Sequence, residues 1–411
     1  MIKILHTADI HLDSPLKSLA LRDESLRDVV AAATRTAFGR IVDCALSEQV
    51  TALLIAGDLF DGKERSARTA AFLTAQMERL QSAGIRVFYI KGNHDAENPI
   101  TGALDLPGNV HVFDARGGKV DLGCDVWVHG VSFSDKHAPD SLVPRFGAPV
   151  PDAVNIAMLH TSLAGAAGHD PYAPCALSDL TGAGFDYWAL GHVHQRCVHA
   201  EHPWVVMPGM PQGRDIGETG EKSASLLTVE DGTITVEPVA SAVVAFVSDQ
   251  LSISHVIDDD SLRALLRDRL RTIAAGLTAD AGVVRLTLTG APLRHWHIMR
   301  DRDVWTELVR TMARDTGALW LDRLVLQLDA PVDSADTTSA TAELAQIMTT
   351  LCDDAATIAA ARAQVQDTLS DMPPSLRARL LPDDDAPALL ADRLARQGAL
   401  RVTALMKGSE S

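Results

Sequence analysis

Short apolar runs alternate with longer amphipathic segments over the first half of the chain. Five runs rich in β-branched and other apolar residues predict buried strands: Ile2–Leu5, Ala52–Ile55, Val87–Ile90, Ile156–Leu159 and Tyr187–Leu190. Two segments, Leu26–Ser47 and Ser66–Ala83, have the spacing of apolar residues that is typical of an amphipathic helix. Because the helices separate successive strands, the pattern predicts right-handed βαβ units in an α/β domain.

The pattern then changes to shorter strands. Between Val110 and Phe133 the pair Gly117-Gly118 predicts a hairpin turn. A second sheet is expected from Trp204 to Val239, where Asp231-Gly232 gives a strong signal for a two-residue hairpin loop. These elements complete a first domain, predicted over residues 1–240.

Two smaller segments are predicted after this domain. A βαβαβ order over residues 245–330 predicts a small α+β domain, with elements at Ala245–Ile253, Asp260–Ala275, Gly282–Thr289, Asp303–Asp315 and Leu319–Leu328. Residues 329–341 have the composition of a linker, and a helical segment is expected over residues 342–411. A heptad-like apolar stripe runs from Leu344 to Leu369. Such a stripe packs on its own domain or docks on a partner, and the sequence leaves both open.

Polar residues follow each of the five apolar runs. The motifs are Asp9-Ile10-His11, Gly57-Asp58-Leu59-Phe60-Asp61, Gly92-Asn93-His94-Asp95, His160 and Gly191-His192-Val193-His194. Ligand sites of open α/β sheets lie beyond the carboxyl ends of the strands, so these side chains are expected to converge. Two divalent ions about 3.5–4 Å apart can clamp both oxygens of a phosphoryl displacement. A mix of imidazole, carboxylate and amide ligands suits Mn, Fe or Zn better than Ca.

The ordered set of motifs resembles the signature of the calcineurin-like metallophosphoesterases. The resemblance implies a two-sheet sandwich flanked by helices and two divalent ions, with Mn²⁺ expected. It assigns one ion to Asp9, His11, Asp58 and His194, and the other to Asp58, Asn93, His160 and His192. It places His94 beside the phosphate, where it stabilises charge or protonates the leaving oxygen, and gives Asp95 the role of orienting that imidazole.

A narrower resemblance is to DNA-repair exonucleases of the SbcD type and their YhaO-like relatives. It is carried by Ile4–Asp13, Gly57–Asp61 and Gly213–Lys222. It implies a DNA exonuclease or endonuclease of a double-strand-break repair complex, with DNA and an SMC-like coiled-coil ATPase as partners and a homodimer left open. The small α+β domain then caps the catalytic face. Some family members carry a second histidine where this chain has Asp61, which would instead hold a metal-bound water or cap the following helix.

The charge of the chain is at odds with a nucleic-acid substrate. The 37 Lys and Arg residues are outnumbered by 54 Asp and Glu residues, giving a formal net charge of −17. A nonspecific DNA binder is expected to show a basic footprint. The alternative is a phosphatase or phosphodiesterase that acts on a non-DNA substrate. Eight arginines of the small domain either bind DNA or pair with nearby acids: Arg263, Arg267, Arg269, Arg271, Arg300, Arg302, Arg310 and Arg314.

Other function classes are disfavoured. No apolar stretch approaches 18 residues, so we expect neither a transmembrane span nor a signal peptide and no membrane partner. The five cysteines lack a C-x-x-C spacing and predict free thiols in a reducing cytoplasm. Gly-x-Ser-x-Gly is absent, which argues against a serine nucleophile. A non-catalytic scaffold would be marked by lost ligands, and all seven are present. His6 and His129 lie in apolar runs and are predicted to be core residues.

Overall fold

The computed structural model describes residues 1–16, 24–61, 66–98, 105–163, 172–330, 340–381, 383 and 385–408. The chain divides into two compact units. The first comprises Met1–Ser248, Ile273–Arg285 and Ala318–Asp322, and the second comprises Asp249–Thr272, Leu286–Gly317 and Arg323–Ser411. This division does not test the domain boundaries predicted at residues 240, 245, 330 and 342, which stay predictions.

The first sheet has six strands in the order β12-β11-β1-β2-β3-β4. Strands β1 to β4 are parallel, whereas β11 and β12 are antiparallel to their neighbours. The strands are β1 (Ile2–Thr7), β2 (Ala52–Ala56), β3 (Arg86–Ile90), β4 (Val110–Val112), β11 (Ser223–Glu230) and β12 (Thr233–Ala240). The predicted hairpin between β11 and β12 is confirmed, because Asp231 and Gly232 both have positive φ, as this tight loop requires.

The second sheet also has six strands, in the order β5-β6-β7-β8-β10-β9. Its central strands are parallel, and β5 and β9 run antiparallel at the edges. The strands are β5 (Gly118–Gly123), β6 (Val126–Gly130), β7 (Val154–His160), β8 (Tyr187–Gly191), β9 (Cys197–Glu201) and β10 (Trp204–Met207). The predicted hairpin turn at Gly117-Gly118 is wrong. The β5–β6 turn is instead Cys124-Asp125, and β4 pairs with β3 in the other sheet.

The two sheets pack face to face. One buried cluster contains Ile4 and Leu54 of the first sheet together with Val128, Ile156 and Tyr187 of the second. Successive side chains of a strand point to opposite faces. The neighbouring apolar residues therefore face outward, where helices cover them. The helices are α1 (Arg27–Ser47) and α2 (Ala67–Ser82) beside the first sheet, and the short α3 (Asn93–Glu97) and α4 (Leu177–Thr181). Both faces of the central strands are thus buried, which explains why their sequences are continuously apolar.

The predicted βαβαβ order after the sandwich is confirmed, except that a short helix not predicted from the sequence precedes the second helix. A third sheet has the order β13-β14-β15, and the division into two units passes through its strands. The elements are β13 (Val244–Ser252), α5 (Asp259–Ala275), β14 (Ala281–Gly290), α6 (His295–Arg300), α7 (Arg302–Asp315) and β15 (Leu319–Leu328). Helix α5 buries Leu262, Leu266 and Leu270, which are four residues apart and therefore share one face.

Four helices form the C-terminal part of the second unit. They are α8 (Ala340–Asp353), α9 (Ala355–Ser370), α10 (Pro374–Leu380) and α11 (Ala386–Lys407). The stripe predicted from Leu344 to Leu369 is interrupted, because the side chain of Asp354 caps α9 by accepting the backbone N–H of Thr357 at 2.8 Å. Helix α11 packs against α8, α9 and α6. The core of the predicted linker, residues 331–339, lies outside the described residues.

Two further expectations concern the cysteines and membrane-spanning helices. All five cysteines are free, as predicted. Among the described helices, none combines the length and the hydropathy needed to cross a bilayer.

Candidate metal centre

The seven predicted metal ligands come together at one edge of the sandwich. Asp9 and Asp58 follow the ends of β1 and β2, and Asn93 follows β3. His160 is the last residue of β7, and His192 comes directly after β8. Strands β1, β2 and β3 are parallel to one another in the first sheet, and β7 and β8 are parallel in the second, so within each sheet their carboxyl ends lie on the same side.

One group of ligand atoms belongs to Asp9, His11 and His194. Each residue offers one atom, and the three atoms lie within 4.8 Å of one another. Nε2 of His11 is 3.2 Å from Nε2 of His194. Two imidazole nitrogens directed at each other over this distance suit ligands that share one cation, because neutral imidazole gives a metal its lone pair.

A second group belongs to Asp58, His160 and His192, whose ligand atoms also lie within 4.8 Å of one another. The amide Oδ1 of Asn93 is 3.1 Å from Nε2 of His160 and joins this group. Oδ2 of Asp58 lies 3.5 Å from Nε2 of His160 and 3.9 Å from Nε2 of His11. A single carboxylate oxygen therefore lies between the two groups, which is the geometry that a bridging ligand needs.

Hydrogen bonds from the chain fix the direction of these ligands. Nδ1 of His160 donates to the carbonyl oxygen of Ala56 at 2.9 Å, which leaves Nε2 facing the centre. The carboxylate of Asp9 accepts the backbone N–H of His192 at 3.0 Å. Oδ1 of Asp58 accepts the backbone N–H of His94 at 3.0 Å, so Oδ2 is the oxygen that faces the imidazoles. Polar contacts of this kind are the usual support of a metal site.

Two glycines make room for the ligands. A Cβ on Gly57 would lie 2.3 Å from Nδ1 of His160, and a Cβ on Gly92 would lie 2.3 Å from Oδ1 of Asp58. Real Cβ atoms essentially never make contacts this short. Both motifs therefore need glycine, because a Cβ at either position would collide with a candidate ligand. Gly92 clears the space beside Asp58, the candidate for the bridging ligand, although the two residues belong to different motifs.

Burial and mutual charge shift the pKa values of the ionisable ligands. Burial lowers the pKa of His11 well below its ordinary value. Burial also lowers the pKa of His160, but the charge of Asp58 raises it more, to about 9. Burial opposes ionisation of Asp58, yet the charge and hydrogen bond of His160 hold its pKa well below the ordinary range. A buried carboxylate with this much compensation is a group that stays ionised, as a metal ligand must. The donor set and its geometry fit divalent cations.

The structure places the two predicted catalytic residues differently from each other. The side chain of His94 is 37% exposed, and its Nδ1 lies 3.5 Å from Oδ1 of Asp61. Asp95 is fully buried: its Oδ1 accepts the backbone N–H of Phe60 at 3.0 Å, and its Oδ2 accepts that of Gly92 at 3.1 Å. Burial, followed by the charge of Asp58, raises the pKa of Asp95 to about 6. Both oxygens of Asp95 thus accept hydrogen bonds from the loop backbone, and the carboxylates of Asp58 and Asp61 lie close to His94.

Asp61, whose role the sequence left open, lies at the centre. Its Oδ1 lies 3.7 Å from Nδ1 of His11 as well as 3.5 Å from Nδ1 of His94. Nη1 of Arg214 approaches the same oxygen at 3.9 Å. Asp61 therefore faces two imidazoles and one guanidinium at the centre, and both roles considered for it stay predictions.

Two residues at the centre were not predicted from the sequence. Glu218 and Arg214 lie in the segment Gly213–Lys222, which carried part of the resemblance without an assigned role. Oε1 of Glu218 is 2.7 Å from Nδ1 of His194. Burial raises the pKa of Glu218, but hydrogen bonds from His194 and Arg214 outweigh it and hold that pKa well below its ordinary range.

The two histidines predicted to be core residues are confirmed as such. Nδ1 of His6 is 2.9 Å from the hydroxyl of Tyr187, and its Nε2 is 3.0 Å from the carbonyl oxygen of Leu190. Nε2 of His129 lies 3.0 Å from Oδ1 of Asn155. Each buried imidazole thus has partners away from the metal centre.

Comparisons with known families agree with this geometry. Residues 2–196 match the sequence model of the calcineurin-like phosphoesterases. Residues 246–329 match the model of the middle domain of the metallophosphoesterase YhaO. The chain contains a calcineurin-like metallophosphoesterase domain.

Curated relatives share this catalytic region. The metallophosphoesterase YhaO of Bacillus subtilis, described as uncharacterised, is 36% identical over 247 residues, covering 57% of this chain and 59% of YhaO. The DNA double-strand break repair protein Mre11 of Sulfurisphaera tokodaii is 26% identical over 202 residues, covering 48% of this chain and 50% of that protein. The matches therefore span little more than half the length of these relatives.

Among solved structures, similarity extends to a dimetal phosphatase from Danio rerio. It aligns with 59% of this chain and 96% of the phosphatase, at 11% sequence identity and a TM-score of 0.38.

Proposed function

We propose that this metallophosphoesterase is a metal-dependent phosphodiesterase that cuts DNA, and that it is the catalytic subunit of a double-strand-break repair complex. The observation that carries the hydrolytic part is the position of Asp58 Oδ2, 3.9 Å from His11 and 3.5 Å from His160. The similarity to relatives named as DNA double-strand break repair proteins supports DNA as the substrate.

The chain would hold two divalent ions, which we propose to be Mn²⁺. Asp9, His11, Asp58 and His194 would bind one ion, and Asp58, Asn93, His160 and His192 the other. When bound, such ions activate water and offset the charge of the phosphate. His94 presents a half-exposed imidazole beside the centre, within reach of a phosphate oxygen or of the leaving oxygen. We propose that Asp61, whose Oδ1 lies 3.5 Å from Nδ1 of His94, orients this ring, and the role expected for Asp95 stays a prediction.

Paired variants test these roles. Asp58→Ala should lose metal and activity together, because it removes the oxygen between the two groups. His94→Ala should keep its metal and lose turnover, and His255→Ala, an exposed histidine of the second unit, should change neither. The measurements are metal per protein and Mn²⁺-dependent hydrolysis of a chromogenic phosphodiester. Full metal occupancy in Asp58→Ala would refute the bridging role.

A non-DNA phosphoester is the second candidate substrate, and the charge of the chain favours it. At least five of the eight arginines considered for DNA binding form ion pairs with nearby acids: Arg263, Arg269, Arg271, Arg300 and Arg310. Together with the net charge of −17, this leaves few cations for a phosphate backbone.

Hydrolysis of linear duplex DNA, single-stranded DNA and the chromogenic diester distinguishes the two substrates. A DNA nuclease should cut at least one DNA substrate, and its DNA binding should depend only weakly on salt because few phosphates are neutralised. Activity confined to the small diester would favour the second candidate.

The C-terminal helices are proposed to bind the coiled coil of an SMC-like ATPase. Leu389 and Leu394 of α11 are 67% and 48% exposed, and Ile347 of α8 is 48% exposed. Exposed apolar residues that cluster on helices are typical of a binding surface.

Introducing charge into this apolar surface tests this partner. Leu389→Glu with Leu394→Glu should abolish binding of the ATPase and leave hydrolysis of the small diester unchanged. Arg393→Glu, on the same helix, is the matched charge-changing control. Aggregation or early melting of the leucine variant would show that these helices serve as core instead.

A further inference from the structure

The segment Gly213–Lys222 lies outside the five motifs, yet it reaches the last of them. Oε1 of Glu218 contacts Nδ1 of His194 at 2.7 Å. The same oxygen accepts a hydrogen bond from Nη2 of Arg214 at 3.0 Å, and Oε2 accepts the backbone N–H of Arg214 at 2.6 Å. One carboxylate therefore joins a histidine of the metal centre to an arginine.

The proton on His194 follows from these contacts. An ionised carboxylate only accepts hydrogen bonds, so Nδ1 of His194 must be the donor. Nη2 of Arg214 also lies 3.3 Å from this nitrogen, but a guanidinium does not accept a proton and cannot replace Glu218 in that role. Protonation at Nδ1 leaves the lone pair of Nε2 free, and Nε2 is the nitrogen that faces His11.

The surroundings hold this arrangement in place. The side chains of Glu218 and Arg214 are only 16% and 22% exposed, so water competes weakly for their hydrogen bonds. The backbone N–H of Glu218 donates to the carbonyl oxygen of Asp215 at 3.0 Å, and Oδ1 of Asp215 accepts the N–H of Gly217 at 2.8 Å. Lys222 closes the segment by donating to the carbonyl oxygen of Thr219 at 3.0 Å.

We propose that Glu218 and Arg214 are positioning residues for His194. Glu218 selects the tautomer with the proton on Nδ1 and fixes the ring, and Arg214 acts through Glu218 by fixing its carboxylate. The inference deepens the proposed function and rests on it in taking His194 as a metal ligand. The proposal gives the segment Gly213–Lys222 the role of orienting one candidate ligand of the metal centre.

Metal affinity is the first test. In the full-length protein, Glu218→Ala should weaken Mn²⁺ binding by about 10–100-fold, the usual effect of removing a partner of a metal-ligating histidine. Glu218→Gln keeps an oxygen acceptor and should recover most of this loss. Glu221→Ala, an exposed acid of the same segment, is the matched control and should bind Mn²⁺ as the wild type does. Equal affinity in Glu218→Ala and the control would overturn the proposal.

A double-mutant cycle tests whether Arg214 acts through Glu218. Arg214→Ala should weaken Mn²⁺ binding in the wild type and have little further effect in Glu218→Ala, because the two changes remove one interaction. Additive losses, together with a raised KM for the small diester in both backgrounds, would show that Arg214 contacts the substrate directly, and would overturn its positioning role.

A third measurement separates this inference from the proposed function. Nitrogen-15 NMR of histidine-labelled, metal-free protein reports the tautomer of His194, assigned with His194→Gln. The wild type should show the proton on Nδ1, and Glu218→Ala should lose this preference. A proton on Nε2 in the wild type would overturn the inference whatever the activity. The expected tautomer in a protein that hydrolyses no phosphoester would support the inference and refute the proposed function.

Discussion

Replacing Gly92 by alanine perturbs the centre without removing any ligand. The backbone of Gly92 has φ −90° and ψ −168°, an extended conformation that alanine adopts without strain. The added Cβ would lie 2.3 Å from Oδ1 of Asp58, 2.9 Å from the backbone nitrogen of Asp58 and 2.9 Å from Cε1 of His160. The effect of Gly92→Ala is therefore steric and falls on the residue proposed to bridge the two ions.

The size of the effect follows from these contacts. Ordinary Cβ contacts begin at 3.4 Å, so the carboxylate of Asp58 must move by about 1 Å. Rotation of the side chain alone cannot relieve the clash, because the nitrogen of Asp58 is also too close. Overpacking of this kind costs about 1–3 kcal/mol of folding free energy. A misplacement of about 1 Å at a catalytic centre costs on the order of 100-fold in rate.

The assay compares Gly92→Ala with Gly39→Ala. Gly39 lies in α1, and a Cβ there meets nothing within 4 Å. Gly39→Ala should match the wild type in Mn²⁺ affinity and hydrolysis of a small phosphodiester, and gain up to about 1 kcal/mol in stability. Gly92→Ala should lose metal affinity and activity while remaining folded at room temperature. Wild-type metal affinity in Gly92→Ala would refute the reasoning, because Asp58 would then have moved without consequence for the ions.

Two further predictions concern stability rather than chemistry. Burial lowers the pKa of His6 to about 3, against an ordinary value of 6.5. Between pH 6.5 and pH 3 the unfolded chain therefore binds a proton at His6, whereas the folded chain does not. Stability should fall as the pH drops from 6.5 towards 3, by up to about 1.4 kcal/mol per pH unit from this group. Urea unfolding at pH 7 and pH 5 should show a smaller difference for His6→Gln than for the wild type, and equal differences would contradict the assignment. Asn155→Ala should lower the free energy of unfolding by about 2–4 kcal/mol, because it removes the hydrogen-bond partner of buried His129 and of half-buried backbone groups of Val150 and Ala153, and should leave metal affinity unchanged.

The convergence of the candidate ligands could be predicted from the sequence because five of them lie at or just after the end of a largely apolar strand. A buried parallel strand must end at the edge of the sheet, so the first polar residues after it are confined to that edge. The relation holds for Asp9, Asp58 and Asn93 in the first sheet and for His160 and His192 in the second. The sequence signal for each candidate ligand is local to one strand end, and the convergence of these side chains follows from the topology of the sheets.

The approach of Asp61 to His94 could not be predicted in this way. Asp95 is adjacent to His94 in sequence, but successive residues of a helical turn point in different directions. In α3 the side chain of Asp95 turns inward to the backbone of Phe60 and Gly92, and Asp61 reaches His94 from another loop. Contacts between side chains of different loops depend on how the two sheets pack, and a short sequence motif does not contain that information.

The same limit applies to turns and helix breaks. Gly117-Gly118 is a good turn sequence, but β4 finds its partner in β3 of the first sheet, so no hairpin forms there. The β5–β6 turn uses Cys124 and Asp125, with φ of 50° and 57°, at positions without glycine. The stripe from Leu344 to Leu369 has apolar periodicity on both sides of Asp354, and capping decides the break.

Backbone strain at the centre indicates that the fold itself imposes the ligand geometry. Asp9, His11, Asp58 and His192 all have positive φ, which costs about 1–3 kcal/mol for each residue without compensation. The loops after β1 and β2 offset this cost by pairing with each other: Asp9 N donates to Gly57 O, His11 N to Asp58 O and Leu12 N to Leu59 O, each at 3.0 Å. Four of the candidate ligands thus have a strained backbone, and the hydrogen bonds that hold these loops come from neighbouring backbone. Strain at ligand positions that the surrounding backbone supports is what a preorganised metal centre requires, because ligand direction is then set before an ion arrives.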